Sequence, residues 1–266
     1  MSKANKEQGI AIITGASSGI GREFAYQLKD NPEISEFWLV ARRKERLEKL
    51  AEELGKACRL FPVDLQSEAS SAELFAALAD EKPQIKYLVN SAGYGKIGAF
   101  HELSPEENLG QINLNIFAVV KLTQACLPFM LPKSSIFNIA SVAAFLPQPE
   151  FSIYTASKAF ILSWTRALAE EKFLREREIQ LVAVCPNPVE TEFFEVAAEG
   201  EEQASGIKSI GVEKVEDVVA TALRRAKMKW NVSVSSPWAK LIHLNSKIFP
   251  TKLILWLERK LLKIYE

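Results

Sequence analysis

Short runs of consecutive apolar residues alternate along this chain with longer segments in which apolar residues recur three or four positions apart. The runs fall at residues 10–13, 37–40, 58–63, 87–89, 135–139, 180–184 and 232–234, and the helix-period segments at 20–29, 43–54, 68–79, 106–130, 152–174 and 215–226. The first set predicts strands and the second helices. Strands as uniformly apolar as Ile10-Ala11-Ile12-Ile13 need cover on both faces. A parallel sheet with right-handed helical crossovers provides that cover. The expected fold class is therefore α/β, a doubly wound parallel sheet of Rossmann-like form in a single domain, residues 1–236. A C-terminal helical extension, 237–266, follows it.

Two stretches break the alternation. Residues 190–202 carry six glutamates and no basic residue, with Phe193, Phe194 and Val196 interleaved, and read as a mobile loop after the sixth strand. Residues 227–266 hold eight Lys or Arg against two Glu, a net charge of +6, around Leu253, Leu257, Leu261 and Ile264 at helical spacing. Docking of that stripe on the parent domain, a subunit contact or entrance cover, and attachment to an anionic membrane surface compete as its use.

Composition narrows the function classes. Over 266 residues, 33 basic side chains balance 33 acidic ones, which removes the field that non-specific nucleic-acid binding requires. Three scattered cysteines, Cys58, Cys126 and Cys185, form neither a C-x-x-C pair nor a disulfide framework, and only His101 and His243 stand beside them. No metal site is expected, and a reducing, cytoplasmic location is. The N-terminal stretch is short and polar, unlike a secretory signal. The longest apolar stretches are interrupted by Lys or Arg, so no transmembrane helix is expected.

The first strand runs into Thr14-Gly15-Ala16-Ser17-Ser18-Gly19-Ile20-Gly21 and then a helix. Glycines there let the backbone turn tightly beside a pyrophosphate, and the helix N-terminus presents free N–H groups to it. Where the second strand ends, a carboxylate would hold an adenosine ribose. This chain has Arg42 and Arg43 instead, whose guanidinium forks suit a 2′-phosphate and so NADP(H). Arg43 stands in the charged run RRKER, so a solvated helix start is the competing reading.

Tyr154 and Lys158 lie four residues apart within one helix-period segment. At that spacing the ammonium sits beside the phenol, favours phenolate and draws a reference pKa of about 10 toward working pH. Such a tyrosine exchanges a proton with a carbonyl or an alcohol. Ser141, thirteen residues upstream at the end of the fifth strand, is placed to hydrogen-bond the same oxygen.

With these residues in place the chain resembles the short-chain dehydrogenase/reductase family from Ile10 to about Val234, and within it the NADP-preferring, hydroxysteroid dehydrogenase or carbonyl reductase-like members. The family's T-G-x-x-x-G-x-G corresponds to Thr14 through Gly21, its Asp after the third strand to Asp64, and its N-N-A-G to Asn90-Ser91-Ala92-Gly93. Its mid-helix Asn corresponds to Asn113 and its Ser, Tyr and Lys to Ser141, Tyr154 and Lys158. The resemblance implies hydride transfer at a nicotinamide with Tyr154 as general acid/base. It gives Lys158 the nicotinamide ribose, Ser141 the substrate oxygen and Asn113 a water-linked proton relay. Asp64 and Leu65 would flank the adenine. Asn90, Ala92 and Gly93, with Gly15, Ser17, Ser18, Gly19, Ile20 and Gly21, would line the cofactor bed. Pro186, Val189 and Thr191 would meet the nicotinamide end, Thr191 at the carboxamide. Two departures stand out. Ser91 replaces the second Asn, and Asn187 follows Pro186 where the family has glycine. Asn tolerates left-handed backbone angles, so the turn is expected to survive, with its side chain free to crowd or contact the nicotinamide.

Around the candidate site the sequence is apolar: Tyr94, Ile97, Phe100, residues 142–147, Phe151, Phe193 and Phe194. A hydrophobic ketone or secondary alcohol, steroid-like or acyl-chain, is the expected substrate class, and a homo-dimer or tetramer the expected assembly. A non-catalytic NADP(H) sensor on the same fold and a serine hydrolase are the alternatives. Intact Ser141, Tyr154 and Lys158 argue against the first. The lack of a G-x-S-x-G elbow argues against the second.

Overall fold

The computed structural model describes residues 8–189, 191–193 and 212–262. Seven parallel strands, β1 (Gly9–Thr14), β2 (Ile34–Val40), β3 (Cys58–Phe61), β4 (Ile85–Asn90), β5 (Met130–Ile139), β6 (Gln180–Val184) and β7 (Val232–Ser233), form one sheet in the order β3-β2-β1-β4-β5-β6-β7. The chain reverses direction across the sheet between β1 and β4. In open α/β sheets a ligand crevice opens at that point, beyond the carboxyl ends of the strands.

Period-two alternation along the buried strands divides the core. Ala11, Ile13, Phe37, Leu39, Phe137 and Val182 face α1 (Gly19–Leu28) and α2 (Lys44–Leu54) through Phe24, Leu28, Leu47 and Leu50. Ile10, Ile12, Trp38, Leu88, Ile136 and Leu181 face the other side, where α3 (Glu68–Glu81) brings Leu74 and Leu78 and α5 (Val119–Cys126) brings Leu122 and Cys126. Fully burying each such side chain stabilises the fold by about 1.5–3 kcal/mol.

The helical run ahead of α5 is continuous but not uniform. A capping box at Ser104 and Glu107 starts α4 (Pro105–Ile112), a π-helical stretch occupies Asn113–Ala118, α5 follows, and a 3₁₀ turn closes it at Leu127–Phe129. By length and composition alone the 25-residue run Pro105–Phe129, which contains an 18-residue stretch of mean hydropathy 1.3, could cross a membrane. It lies instead on the sheet, with Val119, Leu122 and Cys126 in the core and Asn108, Gln111 and Asn115 also buried. The segment expected to be one helix from 152 to 174 divides into α6 (Ser152–Leu168) and α7 (Lys172–Glu176). Glu170 and Glu171 fall at the C-terminal end of α6, where carboxylates oppose the helix dipole.

A polar crossbar runs inside the apolar layers. Asn90 Nδ2 donates to Asn138 Oδ1 at 2.8 Å and to Thr123 Oγ1 at 3.0 Å, and Asn138 Nδ2 donates to Thr165 Oγ1 at 2.9 Å. It links β4, β5, α5 and α6. After β6, α8 (Val215–Lys227) leads to β7, and then α9 (Pro237–Ile248) and α10 (Thr251–Leu262) end the described chain.

Candidate active site

Beyond β1 the turn is held to the start of the β4 loop. Thr14 Oγ1 accepts from Ser91 N and Ala92 N, both at 3.0 Å. Gly15, at φ +65°, passes so close that a Cβ there would lie 2.9 Å from Ala92 N. Gly19 has φ +53°, and a Cβ on Gly21 would meet Gly15 O at 2.5 Å. Ser18 precedes α1 with extended backbone, and its side chain caps no helix N–H. The cradle is therefore bare backbone opening on a helix N-terminus, with Ile20 on its first turn, a shape that fits a pyrophosphate. Gly93 continues it, because a Cβ there would fall 2.8 Å from Asn115 Oδ1 and 3.5 Å from Lys158 Nζ.

The two arginines diverge. Arg43 Nη2 donates to Ser17 Oγ at 3.2 Å and Ser18 Oγ at 3.0 Å, so the charged run is directed at the phosphate loop rather than at solvent alone. Arg42 is exposed, and its charge acts on the Tyr94 phenol, lowering a pKa that burial raises. Glu192 closes the group: Oε2 accepts from Arg43 Nη1 at 2.8 Å and Oε1 from Arg46 Nη1 at 2.6 Å. Asp64 Oδ1 accepts from Gln66 N at 2.9 Å, making a turn that sets Leu65 in a small hollow with Thr14, Asn90, Ala92 and Leu114. Asn90 reaches that hollow, while its amide N–H groups serve the crossbar.

α6 begins beside this bed and brings Tyr154 and Lys158 to it, both buried. The Tyr154 ring stacks on Phe151 at 4.3 Å and meets Phe193 at 5.4 Å, with Ile97 against the same cluster. Ser141 ends the strand layer. Its Oγ accepts from Ala143 N at 3.1 Å and its side chain also hydrogen-bonds Tyr154.

The expected lowering of the phenol pKa is not found. Burial pushes Tyr154 up to about 12, against the hydrogen bond from Ser141 and with help from buried Cys185. Burial likewise pushes Lys158 down to about 8. Its Nζ donates to Ile139 O at 2.7 Å and stands 5.6 Å from the Tyr154 ring centroid, so desolvation outweighs its attraction for the phenolate.

Three site features differ from the sequence-based expectation. Asn113 is exposed. Asn115 is the buried asparagine of this helix, with Nδ2 donating to Tyr94 O at 2.8 Å and Ser157 Oγ at 3.1 Å, and Oδ1 accepting from Tyr94 N at 3.1 Å. Two residues along a helix turn a side chain to roughly the opposite face, which separates the two asparagines. Asn187 does not adopt a left-handed angle, and its side chain donates to Ser236 Oγ at 3.2 Å. Its N–H donates to Glu213 Oε1 at 2.8 Å. Nearby, Pro186 O accepts from Val142 N at 3.0 Å, Val189 bridges to Glu213, and Thr191 lies over Gly19. Of the apolar candidates, Phe100 is exposed, and Phe194 lies outside the described residues with most of 190–202. Cys185, Glu192 and Arg46 join the site in the structure. Cys185 directly precedes Pro186 in sequence, whereas the fold brings Glu192 to Arg43 and Arg46, a pairing for which the carboxylate-rich start of 190–202 and the RRKER run are complementary in charge.

The short chain dehydrogenase family model matches residues 9–202, and the chain belongs to that family. It is an oxidoreductase whose fold binds a nicotinamide dinucleotide. Among solved structures it is similar to a short-chain dehydrogenase from Sphingobium yanoikuyae in complex with NADPH, at 30% identity and TM-score 0.76 over 90% of this chain and 94% of that one. It is similar to a bulky-bulky ketone specific alcohol dehydrogenase from Comamonas testosteroni, at 27% identity and TM-score 0.71 over 91% and 94%. A 3-ketoacyl-(acyl-carrier-protein) reductase from Brucella melitensis complexed with NADH matches at 29% identity and TM-score 0.71 over 86% and 96%.

Proposed function

We propose that this enzyme interconverts a ketone and a secondary alcohol on a hydrophobic substrate, steroid-like or acyl-chain, using NADP(H), with Tyr154 as general acid/base. The observation that carries this reading is the buried Tyr154 hydroxyl, bonded to Ser141 and walled by Ile97, Phe151 and Phe193. An apolar carbonyl compound suits those walls, and the Comamonas enzyme's bulky ketones are in keeping with it.

Gly15, Ser17, Ser18, Gly19, Ile20 and Gly21 would hold the pyrophosphate, Asp64, Leu65 and Ala92 the adenosine, and Gly93, Pro186, Val189 and Thr191 the nicotinamide half. When bound, the nicotinamide supplies or accepts the hydride. Tyr154 Oη gives its proton to the substrate oxygen in reduction and takes it back in oxidation. A phenol held near 12 keeps its proton at neutral pH, which suits donation to a ketone. Ser141 Oγ orients the same oxygen. Lys158, at about 8, changes charge near working pH and is placed to pass a proton inward. Asn115, rather than Asn113, is the residue we assign to that relay, because it lies beside Lys158 and fixes the backbone of Tyr94.

NADPH-bound and NADH-bound relatives both occur, so the preference for NADP(H) rests on Arg43 with Ser17 and Ser18, and on Arg42 at the rim. We assign the chemistry to residues 1–236. Exposed Leu109 and Phe117 on the α4–α5 run and Phe160 on α6 support a homo-dimer or tetramer, which sedimentation will size. Free Cys58, Cys126 and Cys185 suit a cytoplasmic location. The test is NADPH oxidation against a panel of hydrophobic ketones. Tyr154→Phe should bind NADPH as the parent does and lose about a hundredfold or more in turnover. Comparable turnover by the variant overturns the assignment of the proton donor.

A further inference from the structure

Helix α9 is amphipathic in an unusual sense, because one side is docked and the opposite side is apolar and bare. Ser236 caps it, accepting from Trp238 N at 3.1 Å, and Ala239 is fully buried in the cluster that contains Val119, Ile161 and Ala183. His243 stacks on Phe145 at 4.2 Å with the rings 5° from parallel. Turned outward are Trp238 at 54% exposure, Leu241 at 45%, Leu244 at 55% and Ile248 at 60%, spaced three, three and four residues apart. The strip continues through exposed Phe249, Leu253 and Trp256 into α10. Monomeric soluble surfaces rarely leave so continuous an apolar strip uncovered.

Charge identifies what covers it. Lys240, Lys247, Lys252 and Lys260 are exposed around the strip, and Lys260 Nζ lies 4.8 Å from the Trp256 ring. In a chain of net charge zero, residues 237–266 hold six basic side chains against two glutamates, a surplus of +4. A two-fold contact between copies through this strip would set one such surplus against another, whereas an anionic surface matches it. Tryptophan near each end, a leucine-rich middle and flanking lysines suit the boundary between lipid headgroups and acyl chains. Leu257, Leu261 and Ile264, which the sequence pattern adds to the stripe, lie outside the described side chains.

We propose that α9 and α10 lie on an anionic lipid surface, with Trp238, Leu241, Leu244, Ile248 and Trp256 inserted and the lysines over the headgroups. The docked side of α9 holds the enzyme to the membrane as a peripheral protein. This placement is independent of cofactor choice and of the substrate.

Flotation of the full-length protein with vesicles of phosphatidylcholine alone, or of phosphatidylcholine with phosphatidylglycerol, tests it. Binding is expected at least about tenfold tighter with the anionic lipid and weakened by salt. Lys240→Glu/Lys247→Glu should weaken it about twentyfold or more, since each basic residue near the surface is worth about fivefold. Leu241→Gln/Leu244→Gln/Ile248→Gln should weaken it about tenfold or more, with unfolding temperature and NADPH turnover unchanged. No binding of the parent to anionic vesicles overturns the proposal. So does a triple variant that sediments as a smaller particle, which makes the strip an interface between copies. A triple variant that melts well below the parent also overturns it, because the strip then docks on its own domain.

Discussion

Replacing Glu192 by Gln removes a carboxylate from Arg43, proposed to recognise the 2′-phosphate, and from its neighbour Arg46. Glu192 bridges Arg43 at 2.8 Å and Arg46 at 2.6 Å, while Arg43 still reaches Ser17 and Ser18. Both pairs are exposed, each partner between 42% and 43%, so each is worth about 0.2–1 kcal/mol rather than the larger energy of a buried pair. Hydrogen bonds from Arg43 and then Arg46 hold the Glu192 carboxyl below the usual carboxylate range, so it is ionised at neutral pH. A 2′-phosphate engaging Arg43 must displace that carboxylate from it and overcome about 0.2–1 kcal/mol, a factor of roughly one and a half to five in affinity. Titration of parent and Glu192→Gln should therefore show NADPH tightening by that factor, with NADH, which lacks the phosphate, changing far less. Arg43→Ala should weaken NADPH by about ten- to a hundredfold. High salt should narrow the difference between the two cofactors. An unchanged NADPH affinity in Glu192→Gln, or an equal gain for NADH, would refute competition at the arginines.

Two further outcomes follow from the interior. Lys158 binds fewer protons folded than unfolded between about pH 8 and its ordinary 10.5, so its contribution to stability rises with pH through that window. Lys158→Met in the cofactor-free protein should remove that rise, worth up to roughly 3 kcal/mol. Chemical denaturation of parent and variant at pH 7 and above 10 measures it, and identical pH slopes would contradict it. Asn115→Ala leaves both backbone groups of Tyr94 unpaired and should destabilise by about 2–4 kcal/mol. Asn113→Ala should stay within about 0.5 kcal/mol of the parent by thermal denaturation.

The seven strands are legible in the sequence because both faces of this sheet are covered, which leaves runs such as Ile10-Ala11-Ile12-Ile13 with no polar position to blur them. Gly15 and Gly19 are legible for a related reason, since their positive φ and lack of space leave little choice of residue. Asn113 and Asn115 sit two apart at the start of the same π-helical stretch, and correspondence with a family's mid-helix asparagine does not by itself tell which of the two is buried. Asn187 shows a substitution whose partner, Ser236, stands 49 positions away and has no local signal. Pairing of Glu192 with Arg43 across 149 positions was equally hidden. The Tyr154–Lys158 spacing correctly put both side chains in one place. Spacing carries no information on burial, and burial determines both pKa values here.

The Asn90–Asn138–Thr165 crossbar has a consequence for how the protein breathes. Apolar contacts between a helix and a sheet are non-directional, whereas these amide bonds have one register only. A shift of α6 by a single residue would break the Asn138–Thr165 bond and leave a buried amide without its partner, at about 1–3 kcal/mol. The two asparagines thus act as an indexing pin between α6 and the strand ends. Backbone amides of central β4, central β5 and α6 should exchange with solvent as one slow cooperative unit, and Asn138→Leu should uncouple them even where the melting temperature is preserved.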